Sequence, residues 1–246
     1  MSTEPAARTN PAPRSGPASP SAAERRLRGG VVETARAMNR IGINQGTSGN
    51  VSARWRDGFL VTPSGLPYDR CDPADVVWVD DQGGAHGHLV PSSEWRFHLD
   101  IYRHRSDVDA IVHTHSVNAT AIAVHKRAIP AFHYMVALAG GVDIRCAGYA
   151  TYGTQALSDQ AVAALDGRMA CLLAHHGVIA VGADLERALR LAEEVEILAR
   201  MYLAALTLGE PDVLDDAEMA VVLDRFRTYG QPATASGRRR AATKQR

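Results

Sequence analysis

The sequence predicts a single α/β domain, and three features support that prediction. Segments with the spacing of an amphipathic helix alternate with short β-branched segments that favour strands. No internal repeat and no change of composition divides residues 23–230. The chain of 246 residues is long enough for one such domain to bury a substantial core. We therefore expect residues 23–230 to fold as one unit.

The two ends differ from this domain in composition. Residues 1–22 are rich in Pro, Ser and Ala, and residues 231–246 form a basic tail without an apolar period. Segments of this kind bury too little apolar surface to offset the entropy lost on folding. Both ends are therefore predicted to be disordered.

The first half of the domain predicts two helices and three strands. Residues 23–41 have helical apolar spacing, and Gly42 follows them as a stop signal. The glycine-rich loop "NQGTSGN" leads into the strands "VSARW" and "FLVT", joined by a turn at Asp57 and Gly58. "DVVWVD" is a further strand. "PSSEWRFHLDIYRHR" predicts a helix from about Ser92, because proline and serine favour the first turn of a helix.

The second half continues the alternation. "DAIVHTH" predicts a buried strand and "SVNATAIAVHK" a helix. "ACLLAHHGVIAVG" predicts one strand that Gly177 breaks near its middle. The segment "DLERALRLAEEVEILARMYLAAL" is the longest predicted helix, with Asp184 as its N-cap. "DAEMAVVLDRFRTYG" predicts a last short helix.

Composition and charge narrow the possible classes of protein. The 27 basic residues balance the 27 acidic ones, which argues against nucleic acid or an anionic membrane as a partner. No apolar run approaches the about 20 residues of a membrane span or forms a signal peptide. The three cysteines are scattered and form no CxxC, which favours a reducing compartment and excludes a thiolate zinc site. We therefore expect a cytoplasmic protein.

Two histidines in the strand "DAIVHTH" are candidates for a metal site. Because strand side chains alternate between faces, Ile111, His113 and His115 share one face. Two buried imidazoles can each bond to a backbone carbonyl, or they can hold a metal ion together. The metal interpretation requires further ligands.

The residue pattern leaves those further ligands open. His175 and His176 are adjacent and face opposite ways on a strand, so one of them can join the pair. Glu94 and His98 lie one turn apart on the same helical face, so they are alternative candidates for another ligand. Glu94 alone is also typical of an acidic residue that complements a helix dipole.

Segments rich in glycine and hydroxyl groups predict an anion site. "GTSGN", "TPSG" and the pair Ser92–Ser93 offer the N–H and hydroxyl groups that bind phosphate. Neither GxxxxGK nor GxGxxG occurs, so no nucleotide loop is indicated. Each segment alone is typical of a turn, but their occurrence together with a possible metal site favours a bound anion.

Eight segments, in order between about residues 24 and 230, resemble the class II aldolase/adducin family. They are "GINQGTSGNVSARW", "TPSGLPY", "PSSEWRFH", "IVHTHSVNATA", "HYMVALAGG", "YATYGT", "LLAHHG" and "FRTYG". The resemblance implies a mixed, largely antiparallel sheet layered between helices, assembled as a homotetramer. It also implies cleavage of a ketose 1-phosphate to dihydroxyacetone phosphate and an aldehyde. L-fuculose 1-phosphate, which gives L-lactaldehyde, is the expected substrate.

The resemblance also assigns site residues. It implies one zinc ion per subunit, held by Glu94, His113, His115 and His176, with Glu94 also acting as acid and base. Tyr134 would act across a subunit boundary. The implied phosphate contacts are Thr47, Gly49, Asn50, Ser64, Gly65, Ser92 and Ser93.

The sequence departs from the family pattern in the part of the site that would bind the aldehyde half of the substrate. Tyr152 and Tyr229 would lie there, and Tyr152 replaces a phenylalanine of the fuculose phosphate branch. Related chemistries therefore stay open: 4-epimerisation of a pentulose 5-phosphate, or cleavage of another deoxyketose 1-phosphate. Two non-enzymatic alternatives are an adducin-like assembly module, which would lack the metal ligands, and a purely structural zinc site.

Overall fold

The computed structural model of the protein describes residues 20–227, and these contain eight strands and six α-helices. The strands are β1 Asn50–Trp55, β2 Gly58–Val61, β3 Val77–Asp80, β4 Ala85–His86, β5 Ala110–Thr114, β6 Cys146–Ala147, β7 Ala170–Leu173 and β8 Gly177–Gly182. The helices are α1 Ala22–Arg40, α2 Trp95–His104, α3 Val117–Ala123, α4 Gln155–Ala164, α5 Leu185–Leu206 and α6 Asp216–Arg227. The predicted tail at 231–246 and Tyr229 lie outside the described residues, as do residues 1–19 of the predicted N-terminal tail.

All eight strands form one sheet in the order β4-β3-β2-β1-β5-β8-β7-β6. Neighbouring strands are antiparallel except β6 and β7, which are parallel. The expected mixed, largely antiparallel sheet is therefore confirmed. The histidine strand β5 lies between β1 and β8, and all five of its residues are buried.

Helices cover both faces of the sheet. On one face, Val112 of β5 belongs to a core that also contains residues of α1, α3, α5 and α6. On the other face, Ile111 belongs to a second core with Phe97 of α2 and Leu157 of α4. The alternation of side chains along β5 separates the two cores. His113, two residues after Ile111, consequently faces the α2 side.

The two long helices follow their sequence signals. Asp184 caps α5 by accepting a hydrogen bond from the backbone N–H of Arg187, as predicted. Ser21 caps α1 in the same way, through the N–H of Glu24. The helix α1 begins at Ala22, the last residue of the segment predicted to be disordered. No helix within residues 20–227 has the length and apolar character needed to cross a membrane.

Helix α2 begins later than the sequence predicts. The expected start near Ser92 is wrong, because the helix starts at Trp95 and Glu94 is its N-cap residue. Ser92 instead bonds across the chain, its N–H donating to the carbonyl of Thr62. Because of that contact, residues 92–94 form a non-helical segment before α2. This segment places Glu94 near the end of β5.

The segment "ACLLAHHGVIAVG" forms two strands rather than one broken strand. β7 and β8 are an antiparallel pair, and Ala174, His175 and His176 form the turn between them. His175 has a φ of +55°, the left-handed conformation typical of a turn. Both histidines therefore lie at the end of the sheet and not at mid-strand.

Three elements were not predicted from the sequence. Helix α4 is rich in alanine, and its buried face consists of Leu157, Ser158, Ala161 and Ala164. Because these side chains are small, the buried and exposed faces of α4 differ little in hydropathy. The helix therefore shows no clear apolar period in the sequence. Strands β4 and β6 have two residues each, which is too short for a period to appear.

Candidate active site

Four ligating side chains meet at one end of the sheet. His113 is the last residue but one of β5, His115 follows the strand, His176 comes from the β7–β8 turn, and Glu94 precedes α2. One ligand atom of each lies within 4.8 Å of those of the others. Glu94 Oε2 is 3.1 Å from His113 Nε2, and Glu94 Oε1 is 3.1 Å from His176 Nε2. His113 Nε2 is 3.1 Å from His115 Nε2.

Close backbone packing brings the β7–β8 turn to this cluster. At Gly177 a Cβ atom would lie 2.3 Å from the carbonyl oxygen of Thr114, so a side chain there is excluded. The start of β8 therefore lies directly against the end of β5, and this positions His176 beside His113 and His115. The expectation that a glycine at 177 permits a close backbone approach is confirmed.

The cluster has the donor arrangement of a metal site. The three imidazole rings stand nearly perpendicular to one another, with centroids 4.8 or 4.9 Å apart. The Nδ1–H of His113 donates to the carbonyl of Val178 at 2.8 Å, so the Nε2 lone pair faces the cluster. Glu94 Oε1 is buried and faces His176 Nε2 at 3.1 Å. Three imidazole nitrogens and one carboxylate are a donor set that fits a divalent cation, and we take this as the candidate metal centre.

Burial sets the charge states around the cluster. Burial is the largest of the effects that, together with the neighbouring His113 and His176, lower the pKa of His115 to about 3, so this imidazole is neutral at pH 7. Burial alone would raise the pKa of Glu94, but the charges and hydrogen bonds of His113 and His176 hold that pKa well below its usual value. Glu94 is therefore a carboxylate, as a metal ligand must be.

A cavity of about 410 Å³ opens over the cluster. Glu94, His115 and His176 line it, whereas His113 is fully buried behind them. Four of the predicted phosphate-binding residues line the same cavity: Thr47, Ser64, Gly65 and Ser93. None of the described residues that line it is a Lys or an Arg. An anion here would be held by hydroxyl and backbone N–H groups.

The other three predicted phosphate contacts lie behind the cavity wall. Gly49 is buried, and a Cβ there would lie 2.4 Å from the carbonyl oxygen of His113. Ser92 is buried and its Oγ accepts a bond from the N–H of Glu94. Asn50 is buried and its Nδ2 donates to Glu94 Oε2 at 2.9 Å. These residues support the cluster and the wall from within the fold.

The three predicted tyrosines lie in different places. Tyr152 lines the cavity and is 67% exposed. Tyr134 begins a short 3₁₀ helix, Tyr134–Ala139, and lines a separate depression against α6, where its ring stacks on Phe226. It is 50% exposed and does not line the cavity over the cluster of its own chain. Tyr229 is outside the described residues.

Four further residues of the cavity wall were not predicted: Ser48, Tyr149, Ala150 and His175. The ring of Tyr149 meets that of His175 edge to face, with centroids 5.7 Å apart. The two residues are 26 positions apart in the sequence, and no helical or strand period predicts that they meet. Their contact depends on the long return of the chain through α4 and β7.

Comparison with known proteins identifies the family. Residues 30–203, more than half of the chain, match the family model described as Class II Aldolase and Adducin N-terminal domain. The chain belongs to the class II aldolase and adducin family. Aldolases of this class depend on a metal ion, and the Glu94, His113, His115 and His176 cluster is a group that could bind one.

Curated relatives are similar over most of their length. L-fuculose phosphate aldolase of Escherichia coli O6:H1 is 51% identical over 201 residues, which are 81% of this chain and 94% of that protein. The 5-methylthioribulose-1-phosphate/5-deoxyribulose-1-phosphate aldolase of Rhodospirillum rubrum is 53% identical over 207 residues, 84% of this chain and 94% of that protein. A solved structure of an L-fuculose 1-phosphate aldolase matches with a TM-score of 0.80 and 39% identity, covering 82% of this chain and 96% of that one.

These relatives confirm the predicted family, fold class and enzyme class. The chain is a class II aldolase, hence a lyase, and it acts on a sugar phosphate. The non-enzymatic adducin-like alternative is thereby set aside. The relatives differ in the sugar that they cleave, so the substrate is a separate question.

Proposed function

We propose that the protein is a zinc-dependent aldolase that cleaves L-fuculose 1-phosphate to dihydroxyacetone phosphate and L-lactaldehyde. One observation carries the proposal: Glu94, His115 and His176 line the same cavity as Thr47, Ser64, Gly65 and Ser93. A metal-ligating cluster and a wall of anion-binding groups therefore share one substrate-sized space. An aldolase acting on a phosphorylated ketose needs both.

The metal would be held by Glu94, His113, His115 and His176, one zinc ion per subunit. Nitrogen and carboxylate ligands in a four-coordinate set are those that zinc prefers. Bound zinc would supply a Lewis acid that polarises the oxygens of the substrate. The bond from His113 Nδ1 to the carbonyl of Val178 keeps that imidazole in the ligating tautomer.

The phosphate group would be held by Thr47, Ser64, Gly65 and Ser93, with Gly49, Asn50 and Ser92 supporting them from behind. Gly65 has a φ of +68°, which turns the chain at Ser64 and leaves both residues exposed to the cavity. Holding the phosphate fixes the position of the carbon chain relative to the cluster. Such positioning lowers the entropic part of the barrier.

Proton transfer is assigned to Glu94 and Tyr134. Breaking the C3–C4 bond requires removal of the C4 hydroxyl proton and delivery of a proton to C3. In the direction of aldol addition the Glu94 carboxylate on the cavity wall would take the proton from the carbon of dihydroxyacetone phosphate that becomes C3, while the Tyr134 hydroxyl would give its proton to the aldehyde oxygen; cleavage is the reverse of both transfers. Tyr134 does not line its own chain's cavity, so it would serve the C4 hydroxyl in a neighbouring subunit of a cytoplasmic homotetramer.

A second candidate substrate is a different deoxyketose 1-phosphate. The Rhodospirillum rubrum relative, named for 5-methylthioribulose 1-phosphate and 5-deoxyribulose 1-phosphate, is 53% identical to this chain. These sugars and L-fuculose 1-phosphate share the dihydroxyacetone phosphate half and differ in the aldehyde half. The exposed side chain of Tyr152, together with Tyr229 as the sequence predicts, would decide between them.

The test is an assay of the purified full-length protein with known zinc content. L-fuculose 1-phosphate, 5-methylthioribulose 1-phosphate and 5-deoxyribulose 1-phosphate are compared by release of dihydroxyacetone phosphate, with and without a chelator. We expect chelator-sensitive release and the highest kcat/KM for L-fuculose 1-phosphate. A higher kcat/KM for one of the pentulose derivatives would show that this sugar, and not L-fuculose 1-phosphate, is the preferred substrate. Release that survives complete zinc removal would reject the proposed dependence on zinc.

A further inference from the structure

A buried chain of hydrogen bonds runs from Glu94 into the second core. Asn50 Nδ2 donates to Glu94 Oε2 at 2.9 Å, and Asn50 Oδ1 lies 2.5 Å from His98 Nε2. His98 Nδ1 lies 2.7 Å from Ser52 Oγ, which is 2.8 Å from the hydroxyl of Tyr102. All five residues are at most 5% exposed.

Two short sequence patterns build this chain. Asn50 and Ser52 are two apart on β1 and share the face that α2 covers. Glu94, His98 and Tyr102 are each four apart and share one face along α2, from its N-cap residue Glu94 to its last turn. The sequence therefore places the polar groups in the order needed for a continuous line between strand and helix.

The chemistry of each group fixes the direction of every bond. A carboxylate accepts, so Asn50 must present its Nδ2 to Glu94 and its Oδ1 to His98. His98 must then carry its proton on Nε2, which leaves Nδ1 to accept from Ser52. Ser52 in turn accepts from the hydroxyl of Tyr102. Burial lowers the pKa of His98 to about 3, which keeps the ring neutral and this arrangement intact at pH 7.

We infer that His98 is a positioning residue, which holds the Asn50 amide in the orientation that orders the Glu94 carboxylate for metal binding and proton transfer. Without the donor at His98 Nε2, the Asn50 amide has no buried partner for Oδ1 and can rotate. A rotated amide would turn an oxygen toward the carboxylate and repel it. The inference rests on the proposed metal site, and nothing in it requires His98 to touch substrate or metal.

Two amide variants separate this role from simple packing. In His98→Gln the amide nitrogen falls near the position of Nε2 and keeps the donor to Asn50. In His98→Asn the shorter side chain reaches only the position of Nδ1 and keeps the contact with Ser52. Because the loss of a group that orients a metal ligand typically weakens metal binding by about 10- to 100-fold, we expect His98→Asn to weaken zinc binding by about 10-fold or more.

We expect His98→Asn also to lower kcat by a larger factor than it raises KM, because the displaced Asn50 amide contacts Glu94 directly and supports the phosphate wall only from behind. His98→Gln should keep both the zinc dissociation constant and kcat within about threefold of the wild-type values. Zinc affinity is measured by competition with a chelating dye, and kcat and KM by release of dihydroxyacetone phosphate. Equal defects in both variants, or loss of thermal stability without a change in zinc affinity and kcat, would overturn the inference.

If His98→Asn does not fold, the end of the hydrogen-bond series farthest from Glu94 provides a second pair of variants. Tyr102→Phe removes the last donor, whereas Tyr202→Phe removes the same hydroxyl from a buried tyrosine of α5 that bonds Arg127 and Glu210. We expect Tyr102→Phe, and not Tyr202→Phe, to weaken zinc binding by about twofold or more. Identical zinc affinities in the two would also overturn the inference. A wild-type protein that binds no zinc would instead remove the proposed function.

Discussion

Adjacent residues at the β7–β8 turn have different environments and should have different roles. His176 faces the cluster 3.1 Å from Glu94, whereas His175 is exposed and meets only Tyr149 among the ring contacts of the described residues. We expect His176→Asn to abolish stoichiometric zinc binding and cleavage. His175→Asn should keep the zinc, and asparagine tolerates the left-handed backbone of that position. The zinc content of both dialysed variants is the measurement, and equal retention would reject His176 as a ligand.

A buried neutral histidine makes stability depend on pH. The pKa of His98 is about 3 in the fold because of burial, against about 6.5 in an unfolded chain. Below pH 6.5 the unfolded chain therefore binds a proton that the folded protein does not, and the free energy of unfolding falls by about 1.4 kcal/mol per pH unit for this group. The loss continues until the pH approaches 3.

This pH effect is isolated by comparison with His98→Gln, which has no titratable group at that position. Between pH 7 and pH 5 the metal-free wild-type protein should lose about 2 kcal/mol more unfolding free energy than the variant. The other titrating groups of the site, including Glu94 and His113, are present in both proteins. Urea denaturation at the two pH values provides the measurement, and parallel losses would show that His98 is not neutral and buried in solution.

At the scale of the elements, the close contact of β8 with β5 is what holds the turn at the cluster. Gly177→Ala would put a Cβ atom 2.3 Å from the carbonyl oxygen of Thr114. We expect a loss of about 2–4 kcal/mol in the free energy of unfolding, because the strands must separate to accommodate it. Zinc affinity should fall as well, since His176 moves with the strand.

The matched control lies in a helix. At Gly29 of α1 nothing lies within 4 Å of an added Cβ atom, so Gly29→Ala should stabilise the protein by about 0.5–1 kcal/mol through helix propensity. Urea denaturation and zinc competition are measured for both variants. Similar stabilities in the two would contradict the close packing of β8 against the end of β5.

The elements differ in how far the sequence could predict them. The strands around β5 and the long helices α1 and α5 have strong periods and clear caps. The start of α2 was misplaced because Ser92 and Ser93 are good cap residues, and only the pairing of Ser92 with Thr62 across the chain decides against them. The β7–β8 hairpin was missed because its tight turn consists of Ala and two His, none of which is a typical turn residue.

At the scale of the whole molecule, the site gathers residues from segments far apart in sequence. Periodicity placed His113 and His115 on one face, but it left His98 and His175 as rivals of Glu94 and His176. In the structure Glu94 and His176 lie together with His113 and His115, whereas the hydrogen bonds of His98 reach Glu94 through Asn50. Contacts such as that of Tyr149 with His175 depend on tertiary packing, and no local pattern contains them.

The proposed assembly predicts that one active site uses two subunits. If Glu94 comes from one subunit and Tyr134 from its neighbour, Glu94→Gln and Tyr134→Phe are each inactive, but mixed oligomers contain sites with both native groups. Random mixing of equal amounts should restore about a quarter of the wild-type activity, because half of the Glu94 positions and half of the Tyr134 positions are native. Co-expression of the two differently tagged chains, followed by purification through both tags, provides the mixed oligomers. Glu94→Gln combined with Glu94→Ala serves as the control and should remain inactive. If Tyr134 acted within its own chain, or the protein were a monomer, no activity would return, because each chain would still lack one of its two groups.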